Sequence, residues 1–202
     1  MSHRLRVMDV RPVILEGNLV RLDPMTIEHV PALCAVGLEP FLWKLIPTKV
    51  TDEDSMSTYV RSALRDQEKG IALPFVTVER ESGTVVGSTR FGNIDVNNRR
   101  AEIGWTWIAP KWQRTAINTE AKLLMLTHVF ETWGCIRVEL KTDALNERSR
   151  NAILRIGAKE EGIFRKHVIC DDGRFRDTVY FSIINTEWPT VKAELLKKLG
   201  RN

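Results

Sequence analysis

The chain of 202 residues has only three cysteines, Cys34, Cys135 and Cys170, widely spaced and without a Cys-x-x-Cys pair. That excludes a disulfide framework and a cysteine-built zinc site, and the three read as buried thiols of a protein in a reducing compartment. No apolar run approaches the ~20 residues that span a bilayer. The opening segment MSHRLRVMDV lacks the apolar stretch of a signal peptide, so a cytoplasmic protein without a membrane partner is expected. No repeat, low-complexity tract or Pro/Gly/Ser-rich linker divides the chain, which argues for one domain over residues 1–202. An excess of one charge is also missing: 30 Lys and Arg face 26 Asp and Glu, a net +4. Bulk charge of this size does not mark a nucleic-acid binder.

What is present is an ordinary globular composition, 43% hydrophobic and 28% charged. At this length it can bury a core without covalent staples. Residues 13–22 are strand-like around the turn Glu16-Gly17-Asn18, and Thr26 opens a helix that Pro31 keeps short or irregular. Met56, Tyr59, Val60, Ala63 and Leu64 recur at helical spacing between residues 54 and 69, ahead of Gly70. The period then becomes alternating, with strands expected over 75–79, 85–91 and 102–108. A helix over 119–133, a strand over 137–141 and a helix over 149–156 follow. Strands over 165–170 and 174–184 flank the turn Asp171-Asp172-Gly173, and an amphipathic helix over 187–199 closes the chain. This order specifies a mixed α/β sheet.

Chemistry is concentrated between Glu102 and Trp133, read as strand, short polar loop and long helix. A helix N-terminus offers unpaired N–H groups and the positive end of the helix dipole, so the loop before it is a natural phosphate cradle. That loop is Lys111-Trp112-Gln113-Arg114-Thr115-Ala116-Ile117-Asn118, with Asn118 or Thr119 placed to cap the helix. A second cationic element lies between Glu147 and Lys159, where Arg148, Arg150, Arg155 and Lys159 face Glu147 alone. Most of the net charge falls there.

The motifs Ala101-Glu102-Ile103-Gly104-Trp105, Pro110, Asn118-Thr119-Glu120-Ala121, Asn146-Glu147-Arg148-Ser149, Ile156-Gly157-Ala158 and Trp188 occur in that order. From about Ile14 to Trp188 the chain resembles the GNAT superfamily of acyl-CoA-dependent N-acyltransferases, in the branch of the RimJ and RimL ribosomal-protein acetyltransferases. The resemblance implies an α/β (α+β) fold with a mixed, mostly antiparallel sheet, helices on both faces and a splayed central strand pair. It implies acetyl-CoA as cosubstrate, no metal, a small-molecule amine or protein N-terminus as acceptor, no nucleic-acid partner, and a homodimer as a common assembly.

By the same resemblance the CoA pyrophosphate rests on backbone N–H groups of Gln113, Arg114, Thr115, Ala116, Ile117 and Asn118, with Thr119 beside them. The pantetheine arm runs along Trp107 and Ile108 and meets Asn146. Arg150 or Arg148 meets the 3′-phosphate, unless each belongs to a solvated helix face. The family's Q/R-x-x-G-x-G/A pattern reads here with Ala116 and Asn118 where small residues are usual. A reshaped cradle with Arg114 on the phosphate is the expected consequence. The missing glycines also suggest a second function class, a CoA-binding or ligand-sensing module without catalysis.

Acyl transfer from a thioester needs a neutral amine, a polarised carbonyl and a proton for the departing thiolate. The resemblance gives the last role to Ser149, whose position also suits a helix cap. Polarisation of the carbonyl falls to a backbone N–H near Trp107 or Ile108. Glu102 is the first candidate base, on the argument that burial raises a carboxylate's proton affinity, and its alternative is a structural carboxylate bonded to a neighbour. Asp95, Glu139 and His128 follow, the last also fitting a core position. Trp105, Trp107 and Trp133 fit core positions, while Trp43 and Trp112, near loops, are candidates to line an acceptor cleft. Acceptor choice is expected to lie in residues 40–54 and in the hairpin around Asp172.

Overall fold

The computed structural model describes residues 8–201. Eight strands form one sheet: β1 (Leu15–Glu16), β2 (Val20–Pro24), β3 (Leu73–Glu79), β4 (Val85–Asp95), β5 (Arg100–Ile108), β6 (Arg137–Asp143), β7 (Lys159–Ile169) and β8 (Phe175–Ile184), in the order β1-β2-β3-β4-β5-β6-β8-β7. The helices are α1 (Val30–Gly37), α2 (Pro40–Trp43), α3 (Glu53–Glu68), α4 (Ile117–Thr127), α5 (Glu147–Arg155) and α6 (Trp188–Lys198). Among the described residues every strand pairing is antiparallel except β5 with β6.

Helices cover both faces because alternate strand residues are apolar on both. Leu73 and Phe75 of β3, Val138 and Leu140 of β6, and Val179 and Phe181 of β8 pack with Ala121, Met125 and Leu126 of α4 and Leu195 of α6. Val76, Val78 and Trp107 point the other way, onto Leu33 of α1, Trp43 of α2 and Met56, Tyr59 and Val60 of α3. Helix α3 starts where Asp52 accepts the N–H of Ser55 at 2.9 Å, a side-chain cap that satisfies a first-turn donor. Trp43 is therefore a core residue at 3% exposure, and its indole donates to the Gly37 carbonyl at 2.7 Å instead of lining a cleft.

The β5–β6 pairing positions the site. It covers only Arg100–Glu102 against Arg137–Glu139, after which the two strands separate. Strand β5 stays with β4 throughout, across two irregularities, one opposite Arg100–Glu102 and marked by Asn93 at φ 46°, the other beyond Glu102 and marked by Trp105 at φ 49°. Non-glycine residues in the left-handed region are uncommon inside strands, and bulges of this kind re-aim a strand next to a site. Gly87 permits the close approach: a Cβ there would fall 2.1 Å from the Trp107 carbonyl oxygen.

Several boundaries differ from the sequence reading. Strand β7 begins at Lys159, not 165, because it is a solvated edge strand whose residues do not alternate. Helix α4 begins at Ile117 and passes at His128–Thr132 into a wide turn, in which the Trp133 N–H reaches the His128 carbonyl at 3.0 Å. That turn delivers the buried Trp133 against Phe91, with ring centroids 4.8 Å apart. His128 packs beside Trp133, in keeping with its core reading.

Candidate active site

The gap between β5 and β6 opens into a cavity of about 760 Å³. Of the residues singled out from sequence, Glu102, Trp107, Ile108, Gln113, Arg114, Thr115, Asn118, Asn146 and Ser149 line it. Ala116, Ile117, Thr119 and Arg150 do not. Ile117 belongs to the core, Thr119 accepts a hydrogen bond from Arg155 at 3.1 Å, and Arg150 is drawn away by Glu160 at 3.1 Å. Of Arg150 and Arg148, the two expected alternatives for the 3′-phosphate, Arg148 lines the cavity, and Arg155 of α5 lines it as well. Lys159 likewise pairs with Glu187, so half of the expected cationic cluster is neutralised by ion pairs.

The loop before α4 differs from expectation in its cap. Ala116 sits at the cap position in right-handed helical geometry, and neither Asn118 nor Thr119 caps. The left-handed residue is Arg114, at φ 61°. Alanine at 116 thus meets no conformational penalty, which answers the concern raised by the missing glycine. Asn118 lines the cavity with its Oδ1 buried and unpartnered, and of the first-turn N–H groups of α4, which have no intrahelical carbonyl, that of Ile117 donates to Thr115 Oγ1 at 3.3 Å. The Gln113 amide donates to the Ile108 carbonyl at 2.7 Å and accepts from Arg148 at 2.9 Å, fastening the loop to β5 and α5. Trp112 lines the cavity as expected for a loop tryptophan.

At the start of α5 the cap is Asn146, whose Oδ1 accepts the Ser149 N–H at 3.0 Å. The Ser149 hydroxyl is not spent on capping. The carboxylate of Glu102 is 6% exposed; both Asn93 Nδ2, at 2.6 Å, and Lys141 Nζ, at 2.7 Å, reach its Oε2. Its other oxygen lies beside Gly104, where a Cβ would come within 3.0 Å. Lys141 stays above its ordinary value because, although burial opposes its charge, Glu102 and Tyr180 outweigh that cost. Two other candidate bases are poor ones. Asp95 is held low by hydrogen bonds from Asn98 and Arg100. Glu139 is held low because Arg137, Arg100 and Lys141 outweigh its burial.

The sequence reading passed over Lys122. Its Nζ donates to Thr106 Oγ1 at 2.8 Å and Thr89 Oγ1 at 3.2 Å, and burial pushes it down to about 7. Among the described residues no carboxylate lies within 4.0 Å of it. The signal was a lysine amid the apolar positions of α4, where nearly every neighbour is buried.

A model of the acetyltransferase (GNAT) domain matches residues 20–159. The chain belongs to this family. YdaF of Bacillus subtilis (strain 168) is 37% identical over 106 residues, 52% of this chain and 57% of that protein, so the match spans little more than half the relative's length. Among solved structures, a GCN5-related N-acetyltransferase from Brucella melitensis superposes with a TM-score of 0.85 at 30% identity, covering 93% of this chain and 85% of that one. Mycobacterium smegmatis RimJ in complex with CoA-disulfide gives a TM-score of 0.74 at 26% identity, covering 94% and 93%. As a GNAT acetyltransferase the chain shows the family's sheet, parted between β5 and β6.

Proposed function

We propose that this protein transfers the acetyl group of acetyl-CoA to a primary amine in a ternary complex. The observation that carries the reading is the parting of β5 and β6 after Glu102, which joins the loop ahead of α4 and a polar sheet face in one cavity. The residues present fit CoA. First-turn N–H groups of α4 and the cations Arg114, Arg148 and Arg155 suit a phosphate-bearing ligand, and the edge of β5 freed from β6 suits its amide arm. Bound there, acetyl-CoA supplies an activated acyl thioester. The chain's own residues then have three tasks. Backbone N–H groups near Trp107 and Ile108 polarise the carbonyl, the free oxygen of Glu102 takes the proton of the incoming amine, and the Ser149 hydroxyl protonates the leaving sulfur.

Calorimetric titration with acetyl-CoA, together with thiol release across a panel of amines, tests the whole reading. Binding without transfer to any amine would point instead to a sensing module. Ser149→Ala is expected to lower kcat by about 10–100-fold while acetyl-CoA affinity changes less than about twofold. An unchanged single-turnover rate would remove Ser149 from proton transfer. For Glu102→Gln a comparable loss of about 10–100-fold is expected in kcat/KM for the amine, with acetyl-CoA affinity changed less than about twofold. An unchanged kcat/KM would mean that another group takes the proton.

A further inference from the structure

On the polar face of the sheet, β8 carries Arg176 and Thr178 two residues apart, so both side chains point the same way, into the cavity. Arg176 is 9% exposed, its Nε has no hydrogen-bond partner, and among the described residues its guanidinium forms no ion pair. The Thr178 hydroxyl is buried and equally unpartnered. The nearby acids are already committed. Asp143 takes Arg174 at 2.6 Å and the Leu145 N–H at 2.9 Å, while Glu102 takes Lys141 and Asn93. Their charges reach Arg176, yet neither binds it.

Leaving a guanidinium buried and uncompensated is costly, and its planar fork matches a carboxylate better than any other common group. Two loops at the cavity are joined to each other. The Asp171 N–H donates to the Pro47 carbonyl at 2.9 Å and the Lys49 N–H to Asp171 Oδ2 at 3.0 Å, tying the segment after α2 to the β7–β8 turn. Of the segment so tied, Pro47 lines the same cavity as Arg176, with Leu45 and Ile46 before it.

We infer that Arg176, with Thr178 beside it, binds a carboxylate that the acceptor carries next to the amine to be acetylated. The inference rests on the acetyl-transfer reading of the cavity. Two sources supply that chemistry: the α-carboxylate of a free amino acid, or the acidic side chain of a peptide's first residue. Arg176 selects the acceptor by pairing with it, and Glu102 faces the same space at the parting of β5 and β6.

The test uses the full chain with acetyl-CoA and two matched acceptor pairs: Glu-Ala-Ala amide against Gln-Ala-Ala amide, and alanine against alaninamide. In one pair the carboxylate member is expected to show kcat/KM at least about tenfold higher. Arg176→Met should abolish that ratio, and Arg176→Lys should keep part of it, which guards against misreading a misfolded variant. Calorimetry with the acetylated products provides a second readout, the acidic product binding at least about tenfold tighter to the wild type. The pair that shows the preference identifies the source. Equal rates and equal product binding within both pairs would overturn the inference while leaving acetyl transfer intact. Absent acetyl-CoA binding, with no transfer to any amine, would remove the proposed function and this inference together.

Discussion

Glu120→Ala is expected to destabilise the protein by about 3–5 kcal/mol, the range for stripping one partner from a buried ionic cluster. The Glu120 carboxylate is fully buried on α4 and accepts the backbone N–H groups of Asn18 at 3.0 Å, Leu19 at 2.6 Å and Val20 at 2.8 Å, with Arg201 as a further donor. Alanine would orphan all four donors and release the β1–β2 turn from α4. Urea unfolding at pH 7 measures the loss, and one below about 1 kcal/mol would contradict this role. Burial pushes the Glu120 carboxyl up, but the hydrogen bonds from Arg201 and the three backbone N–H groups outweigh it and hold the group below 4.5. Its contribution is therefore complete above pH 4.5 and disappears as the pH falls through the lower folded-state value. The gap between wild type and variant should narrow accordingly in acid.

Lys122→Met is expected to act in the opposite direction, stabilising the fold by about 2–4 kcal/mol at pH 7. Burial lowers Lys122 from 10.5 to about 7. Between those values the unfolded chain binds one more proton than the folded one, so wild-type stability climbs with pH. Methionine removes the buried charge at similar volume, and Thr89 and Thr106 keep their mutual hydrogen bond of 2.7 Å. For a chain of this length each kcal/mol raises Tm by roughly 2–4 °C. The advantage should be greatest below pH 7 and shrink steadily towards pH 10. A difference independent of pH over that interval would mean that Lys122 keeps its proton in the folded state. A fall in turnover accompanying the rise in Tm would mark Lys122 as kept for the reaction at a cost in stability.

The strand-loop-helix order around residues 102–133 was legible because alternating and helical apolar periods write themselves directly into sequence. Legibility failed where partners distant in the chain decide. Strand β7 faces solvent, so its early residues carry no alternation to read. Arg150 looked equivalent to Arg148 until Glu160, ten residues on, claimed it. Glu102 was weighed on burial alone, whereas Lys141 and Asn93 set its surroundings. The concern over Ala116 in place of a glycine was answered by Arg114, which takes the left-handed conformation instead.

By itself the sequence determined the mixed sheet, the family and the loop that precedes α4. These rest on local periods, turn residues and short motifs, which are properties of neighbouring residues. Only the tertiary structure decided which side chains meet in the cavity. It set Lys141, thirty-nine residues on, against Glu102, placed Lys122 in the interior without a counter-charge, and brought Arg176 into the cavity with no anion of its own. The reason is physical: the value of a buried charge is set by the partners that folding brings to it, and those partners lie tens of residues away along the chain.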